Sequence, residues 1–272
     1  MRARRVIVAA SVAALGVLSL AACGRSAPSV AAYVGDTTYS VDRVDTLFAE
    51  AQATYEENAR AAFRQENGPS ASPSPELLRI KATRQDMLNL LVGLDLAKRI
   101  VAEKNIPVQD QIKADQLGQS LKVPGSEYAK LAAEWYNHFV ALQTGLPTAE
   151  LTDSERSKLY DALVEADIAS PGWSVEQQRA QFAAPEIAQQ ATAVVALSTA
   201  FKEEVEREDV TVNPRYSSLE IPALFQVPNQ GLGLYNLPYL DRTSTVTDVS
   251  TPEPLPSSEA PSAEAPDPGT AS

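Results

Sequence analysis

The 272-residue chain holds a single cysteine and a single histidine, and these two scarcities close off most familiar site chemistry. One thiol cannot form an internal disulfide, and one Cys with one His cannot build a Cys/His zinc site. Nucleophilic catalysis of the Ser/His/Asp or Cys/His type would have to run through His138, the one imidazole. Gly-x-Ser-x-Gly, the P-loop, Gly-x-Gly-x-x-Gly and His-Glu-x-x-His are all missing, so no motif points to hydrolase, nucleotide or metalloprotease chemistry. Positive charge is scarce as well: 23 Lys+Arg face 35 Asp+Glu, a net −12. Lys and Arg supply most of the affinity for nucleic-acid phosphates, so a nucleic-acid partner is not expected. Neither a cofactor nor a metal is expected, and no EF-hand spacing with its glycine occurs among the many acids.

What is present begins with an address. Met1-Arg-Ala-Arg-Arg5 is a basic start, and residues 6–20 are apolar apart from Ser11, Gly16 and Ser19. That length suits a signal-peptide core and is short of the roughly 20 residues a membrane span needs. Leu20-Ala21-Ala22-Cys23 follows and resembles the bacterial lipobox, in which the thiol is acylated with diacylglycerol and the chain is then cut before the cysteine. Arg4-Arg5 lacks the context of a twin-arginine signal, which points to the general secretory route. The expectation is a signal peptide at 1–22, lipidation of Cys23 and a tether at 23–29. The chain would then be lipid-anchored on the extracytoplasmic face of the cell membrane. Removal of residues 1–22 takes away three arginines and no acid, leaving the exported chain at −15. Each buried CH₂ of an acyl chain contributes about 0.8 kcal/mol, so two chains hold it stably. An acidic body is repelled by anionic headgroups, which leaves the lipid as the expected membrane contact.

Periodicity predicts a mainly α fold. Val30–Val34, a Gly35-Asp36 turn and Thr38-Tyr39-Ser40 form a small hairpin pattern. Ser40 is placed to cap a helix with Val41, Val44, Phe48, Ala51, Tyr55, Ala59 and Ala62 on one face. The Pro/Ser stretch 68–75 ends it. A second helix is predicted from about Glu76, with Ile80, Thr83, Met87, Leu90, Leu94, Ala97 and Val101 in steps of three and four, stopping at Asn105-Ile106-Pro107. Leu88, Leu91, Leu96 and Ile100 widen its apolar face and mark it as the centre of the core. Further helices are predicted at 109–121, 126–143, 152–167 and 174–183, and a long one from Pro185, followed by a short strand at 209–212. Residues 217–242 mix large apolar side chains with Pro and Gly, which predicts an irregular packed segment. Residues 243–272 hold six prolines and almost no large apolar residue, the composition of a disordered tail.

Few residues invite a chemical role. His138 falls at the edge of the apolar face made by Tyr128, Leu131, Trp135, Phe139 and Leu142, as a half-covered helix-flank histidine does. The acid runs at 203–209 and Glu56-Glu57 sit beside Lys202, Arg207 and Arg60, the pattern of a solvated helix face. Tyr216, Phe225, Tyr235 and Tyr239 are expected to pack rather than to form a ligand box.

Three segments in order carry a family resemblance. Residues 32–44 (Ala-Tyr-Val-Gly-Asp-Thr-Thr-Tyr-Ser-Val-Asp-Arg-Val) resemble the strand–turn–strand–helix entry of SurA/PrsA-type extracytoplasmic chaperones. Residues 104–112 (Lys-Asn-Ile-Pro-Val-Gln-Asp-Gln-Ile) resemble the point where their second helix ends and a short helix begins. Residues 209–216 (Asp-Val-Thr-Val-Asn-Pro-Arg-Tyr) resemble the closing strand of SurA-N-like bacterial lipoproteins. Residues 30–216 are covered. The resemblance implies a helical chaperone module, with a hairpin and a closing strand, that holds unfolded exported polypeptide in an apolar groove. It suggests Tyr128, Trp135 and Phe139 as groove residues. Nothing here corresponds to the family's parvulin domain with its paired histidines, so neither prolyl-isomerase activity nor any catalytic residue is carried over. Two other readings stay open from the sequence. One is a non-enzymatic adaptor lipoprotein docking a cell-envelope partner, and the other is an enzyme built on a carboxylate pair. A large apolar cleft would favour peptide binding, and a sealed core with a flat charged surface would favour the adaptor.

Overall fold

The computed structural model describes residues 27–165, 167–227 and 231–240, and for residues 186, 222–227, 231–236 and 238 the backbone alone. The expected signal segment, the lipobox-like stretch with Cys23 and the tail 243–272 lie outside the described residues.

Strands β1 (Val30–Val34) and β2 (Thr37–Ser40) pair antiparallel across a two-residue turn, with Val34 opposite Thr37. Gly35 is favoured there by its φ of +53°, and a Cβ would also displace the Oε2 end of the Glu208 side chain, 2.3 Å away. Helix α1 (Val41–Asn67) starts at Ser40, whose side chain accepts the Arg43 N–H. Helix α2 (Arg84–Glu103) is the centre of the molecule, with Met87, Leu88, Leu91, Leu96 and Ile100 among its buried residues. Around it stand α1, α4 (Glu127–Gly145) and the second half of α7 (Pro185–Arg207). Short α3 (Ala114–Ser120) precedes α4. The chain then closes on its own beginning: β3 (Thr211–Val212) pairs with β1, giving a sheet ordered β2-β1-β3. The Asn213 side chain secures this, its Nδ2 donating to Val30 O at 2.8 Å.

Helices α5 (Asp153–Glu165) and α6 (Val175–Phe182) build a second, smaller core with the first half of α7. Ile187, Ala191 and Val194 of α7 serve that core, while Leu197, Ala200, Phe201 and Val205 serve the main one. One amphipathic helix thus joins both.

The mainly α architecture with a hairpin and closing strand agrees with the sequence pattern, and three local expectations do not. First, the helix predicted from Glu76 begins at Arg84. A 3₁₀ turn (Pro75–Leu78) is followed by extended chain, because Thr83 and Asp86 form a capping box that sets the true start. The Gln52 amide grips that extended chain, donating to Leu78 O at 2.8 Å and accepting from Ile80 N at 3.1 Å. Second, the helix predicted at 109–121 is confined to α3, since buried Asn137 takes the backbone of the preceding residues. Its Oδ1 accepts from Gln111 N (3.1 Å) and Ile112 N (2.9 Å), and its Nδ2 donates to Ile112 O (3.1 Å). Third, within the segment expected to be irregular, residues 219–227 and 231–240 are strands. Strands β4 (Leu219–Val227) and β5 (Gly231–Leu240) form an antiparallel ladder, with Leu219 opposite Leu240 and Glu220 opposite Pro238. In a two-stranded ribbon each strand is an edge, so Pro222 and Pro238 are tolerated where no ladder N–H is needed. Leu219, Ile221 and Tyr239 are buried in the main core, which makes the hairpin part of the domain rather than an appendage.

Asn137→Ala removes the acceptor for two backbone N–H groups and is expected to cost roughly 1–2 kcal/mol in urea unfolding. An unchanged midpoint would show that the 107–113 segment does not depend on this amide.

Candidate functional site

A cleft of about 560 Å³ opens between α1, the extended residues 80–82, the first turns of α2, the end of α3, and α4. Tyr128, Ala132, Trp135 and Tyr136 of α4 line it at i, i+4, i+7 and i+8, one face of the helix. Tyr55 of α1, Asn89 and Leu90 of α2 and Glu220 of β4 complete the walls, with Lys81 and Lys122 at the two loops. The start of α4 is clasped to α1: Arg43 bonds both carboxylate oxygens of Glu127 at 2.7 Å, and Glu127 N donates to Glu50 at 3.0 Å.

The lining is aromatic and rich in idle donors. The hydroxyls of Tyr55, Tyr128 and Tyr136 and the indole N–H of Trp135 have no hydrogen-bond partner among the described residues. Two phenols elsewhere are bonded, whereas that of buried Tyr239, behind the cleft, has no partner among the described residues. Tyr160 donates to Ser170 O at 2.9 Å and accepts from Trp173 N at 2.8 Å, and Tyr39 donates to Asp95 at 3.0 Å. Burial pushes the Tyr128 phenol up to about 12, so it stays a protonated donor throughout the physiological range. Lys81 and Lys122 form no ion pair among the described residues. Lys122 is held in place by unusual backbone. It has φ +60° at the end of α3, where its N–H bonds Gln119 O (3.1 Å) and the next N–H, of Val123, bonds Gly118 O (2.7 Å). Asn105, Asp167 and Asp209 take comparable left-handed positions. They belong to types that tolerate that region, and lysine does not.

Of the three groove residues expected from the sequence, Tyr128 and Trp135 line the cleft and Phe139 does not. Phe139 is one turn further along α4 and 7% exposed, packed behind Trp135 at 5.9 Å between ring centres. Trp135 also meets Phe201 edge-on at 6.0 Å, and Phe201 meets Tyr239 at 5.2 Å. The approach of α4 to α2 is tight at this point, since a Cβ on Gly93 would lie 3.2 Å from the Trp135 ring. Tyr55, Tyr136, Lys122 and Glu220 were not foreseen. Only the 128/132/136 spacing carried a signal for one of them.

Compared with protein-family models, curated proteins and solved structures, the chain matches none.

Other candidate chemistry resolves into structure. His138 Nδ1–H donates to Glu134 O at 2.8 Å on the flank of α4, away from the cleft lining. Asp86 is occupied by its cap, accepting from the Thr83 N–H (2.7 Å) and hydroxyl (2.8 Å). Among the described residues no group of three or more His, Cys, Asp or Glu is gathered for a metal ion, and no helix is long and apolar enough to cross a membrane. The acid run at 203–209 is not wholly a solvated face. Glu203 and Glu206 are exposed, but Glu204 is 1% exposed and bonded to Arg207. Glu208 pairs with Arg99 at 2.6 Å, Arg99 with Asp95 at 3.1 Å, and Arg207 with Glu103. The network stands beneath the β1–β2 turn, where Glu208 O accepts the Gly35 N–H at 2.8 Å. Phe225 and Tyr235 have side chains outside the described residues.

Burial holds the Glu204 carboxyl above its ordinary value of 4.5; Arg207 opposes this, Glu208 and Glu103 reinforce it, and Arg99 opposes. The native state therefore binds this proton more tightly than the unfolded chain, and Glu204 costs stability as pH rises from 4.5 through its folded value. Glu204→Gln removes that dependence. The stability of the variant relative to the parent is expected to rise with pH from 4.5 upward, read from urea midpoints at several pH values. A constant difference would show that Glu204 is ionised in both states.

Proposed function

We propose that this chain is a surface-tethered, non-enzymatic module that binds extended segments of unfolded exported polypeptide in the aromatic cleft. The observation that carries the reading is the set of four donors, three phenols and one indole, without a partner among the described residues on the walls of an open apolar cleft. A folded protein hides its backbone carbonyls in helices and sheets, whereas an unfolded segment presents them together with apolar side chains. Aromatic faces take the side chains and the idle donors take the carbonyls. A cavity of about 560 Å³ is within the usual range for a dedicated ligand site. The resemblance of residues 30–216 to SurA/PrsA-type chaperone domains supports the same reading, as does the resemblance of Leu20–Cys23 to a lipobox, since a surface anchor would hold such a module where exported chains emerge unfolded. Client selection rests on accessible backbone rather than on one fixed sequence.

The chain has two tryptophans, Trp135 in the cleft and Trp173 stacked on Tyr160 at 5.1 Å. Trp173→Phe leaves Trp135 as sole reporter. Titration of the full mature chain with a reduced, alkylated test protein is expected to shift Trp135 emission saturably and to slow aggregation of that protein. Tyr136 is 39% exposed, so Tyr136→Ala should leave stability within about 0.5 kcal/mol while weakening binding several-fold. No emission change, with a single envelope protein captured instead, would overturn the reading in favour of an adaptor. In cells, Cys23→Ser is expected to abolish acylation and release the chain from the membrane fraction. Retention in that fraction would refute the anchor.

A further inference from the structure

The cleft walls are lopsided in hydrogen-bonding capacity. Tyr55, Tyr128, Tyr136, Trp135, Lys81 and Lys122 all offer donors, and none of those side chains is engaged among the described residues. Side-chain acceptors are fewer: Asp86 Oδ2 takes both Thr83 donors and Asn89 Oδ1 accepts from Gln85 at 2.9 Å, with Asp86 Oδ1 and the Glu220 carboxylate also on the walls. An ordinary peptide brings as many N–H donors as carbonyls and would bury some of them unpaired, at roughly 1–3 kcal/mol each. A proline-rich segment brings its carbonyls with fewer of those donors, adopts an extended form at little entropic cost and lays flat rings on aromatic faces.

The chain carries such a segment. Residues 252–268 hold Pro252, Pro254, Pro256, Pro261, Pro266 and Pro268, with Glu253, Glu259, Glu264 and Asp267 between them and no Lys or Arg. We propose that the resident occupant of the cleft is this segment, bound in cis, its acids facing Lys81 and Lys122. The inference rests on the peptide-binding reading and names the ligand class of that site. Connectivity favours it. Strand β5 ends at Leu240 opposite Leu219, one residue before the cleft wall Glu220, and Gln85 in the first turn of α2 holds the backbone there through Ser217 N at 2.8 Å. From 241 to 251 the chain can span about 35 Å at full extension, more than the step from this exit to the cleft. Such a linker gives an effective concentration on the order of 1 mM. An intrinsic tail affinity of about 0.1 mM then fills the cleft about nine-tenths of the time and weakens a competing client about tenfold.

The test compares two full mature chains, both Trp173→Phe and Cys23→Ser. One has the native tail and the other has its six tail prolines changed to serine. A synthetic peptide of residues 250–270 and the reduced, alkylated test protein are each titrated against Trp135 emission. The proposal expects the peptide to bind the serine-tailed chain saturably, and both ligands to bind the native-tailed chain about tenfold more weakly. Carbodiimide coupling should also link Glu253, Glu259 or Glu264 to Lys81 or Lys122 within one native chain. If the test protein binds both chains equally and the peptide binds neither, the tail is not the occupant and the peptide-binding reading survives. If neither ligand binds either chain, both readings fall.

Discussion

The structure turns on the burial of one helix. Helix α2 is apolar around most of its circumference, with Met87, Leu88, Val92, Leu96 and Ala97 fully buried. A helix of that kind gains its stability only when neighbours remove it from water on every side. Helix α1, helix α4, the second half of α7, the N-terminal sheet and the β4–β5 hairpin each cover one sector of it. Gly93 lets α4 come close enough for Trp135 to lie against the helix, which is where the cover is tightest. Towards the first turns of α2 the cover is incomplete, because α1 and α4 meet through a polar clasp at one end and separate beyond it. The cleft is the sector that the wrapping leaves open.

The same covering explains why the site is aromatic without being a second core. Trp135 and Phe139 are successive turns of one apolar face, and the difference between them lies in what stands opposite. Phe139 is buried among core residues, whereas the ring of Trp135 has Phe201 on one side and the cleft on the other. Tyr128 and Tyr136 flank it at the helical spacing that keeps them on the same side. The second core, of α5, α6 and the start of α7, carries none of the cleft lining. It steadies α7, which in turn backs Trp135 through Phe201.

Much of this was legible in the sequence, and the misses share a cause. Ser40, Thr152 with Glu155, and Pro185 announced helix starts that the backbone adopts. Heptad spacing ran on through Ile80 and Thr83 into a region where the chain is extended. Periodicity records which residues are apolar, and the Thr83–Asp86 box and the Gln52 amide decide where helix can begin. The hairpin was hidden for the converse reason. Pro222 and Pro238 break the usual strand composition, yet a ribbon of two edge strands has room for them. Glu204 was concealed by its exposed neighbours Glu203 and Glu206, since a helix turns buried and exposed residues past one another at every step. In the site, Tyr128 and Trp135 could be read from the α4 face. Tyr55, Lys122 and Glu220 come from three other elements, and only tertiary structure brings them together.

The place of β1 in its sheet has a mechanical consequence. It is the middle strand, held by β2 on one edge and by β3, from the far end of the domain, on the other. Ser29, just before it, accepts the first N–H of α1, and the Asn213 side chain holds the carbonyl of Val30. The strand that follows the Ala27–Val30 turn is therefore gripped by transverse bonds on both edges, which share a load that reaches it. Tension arriving from the N-terminal side would be met by the whole β2-β1-β3 sheet rather than by β1 alone.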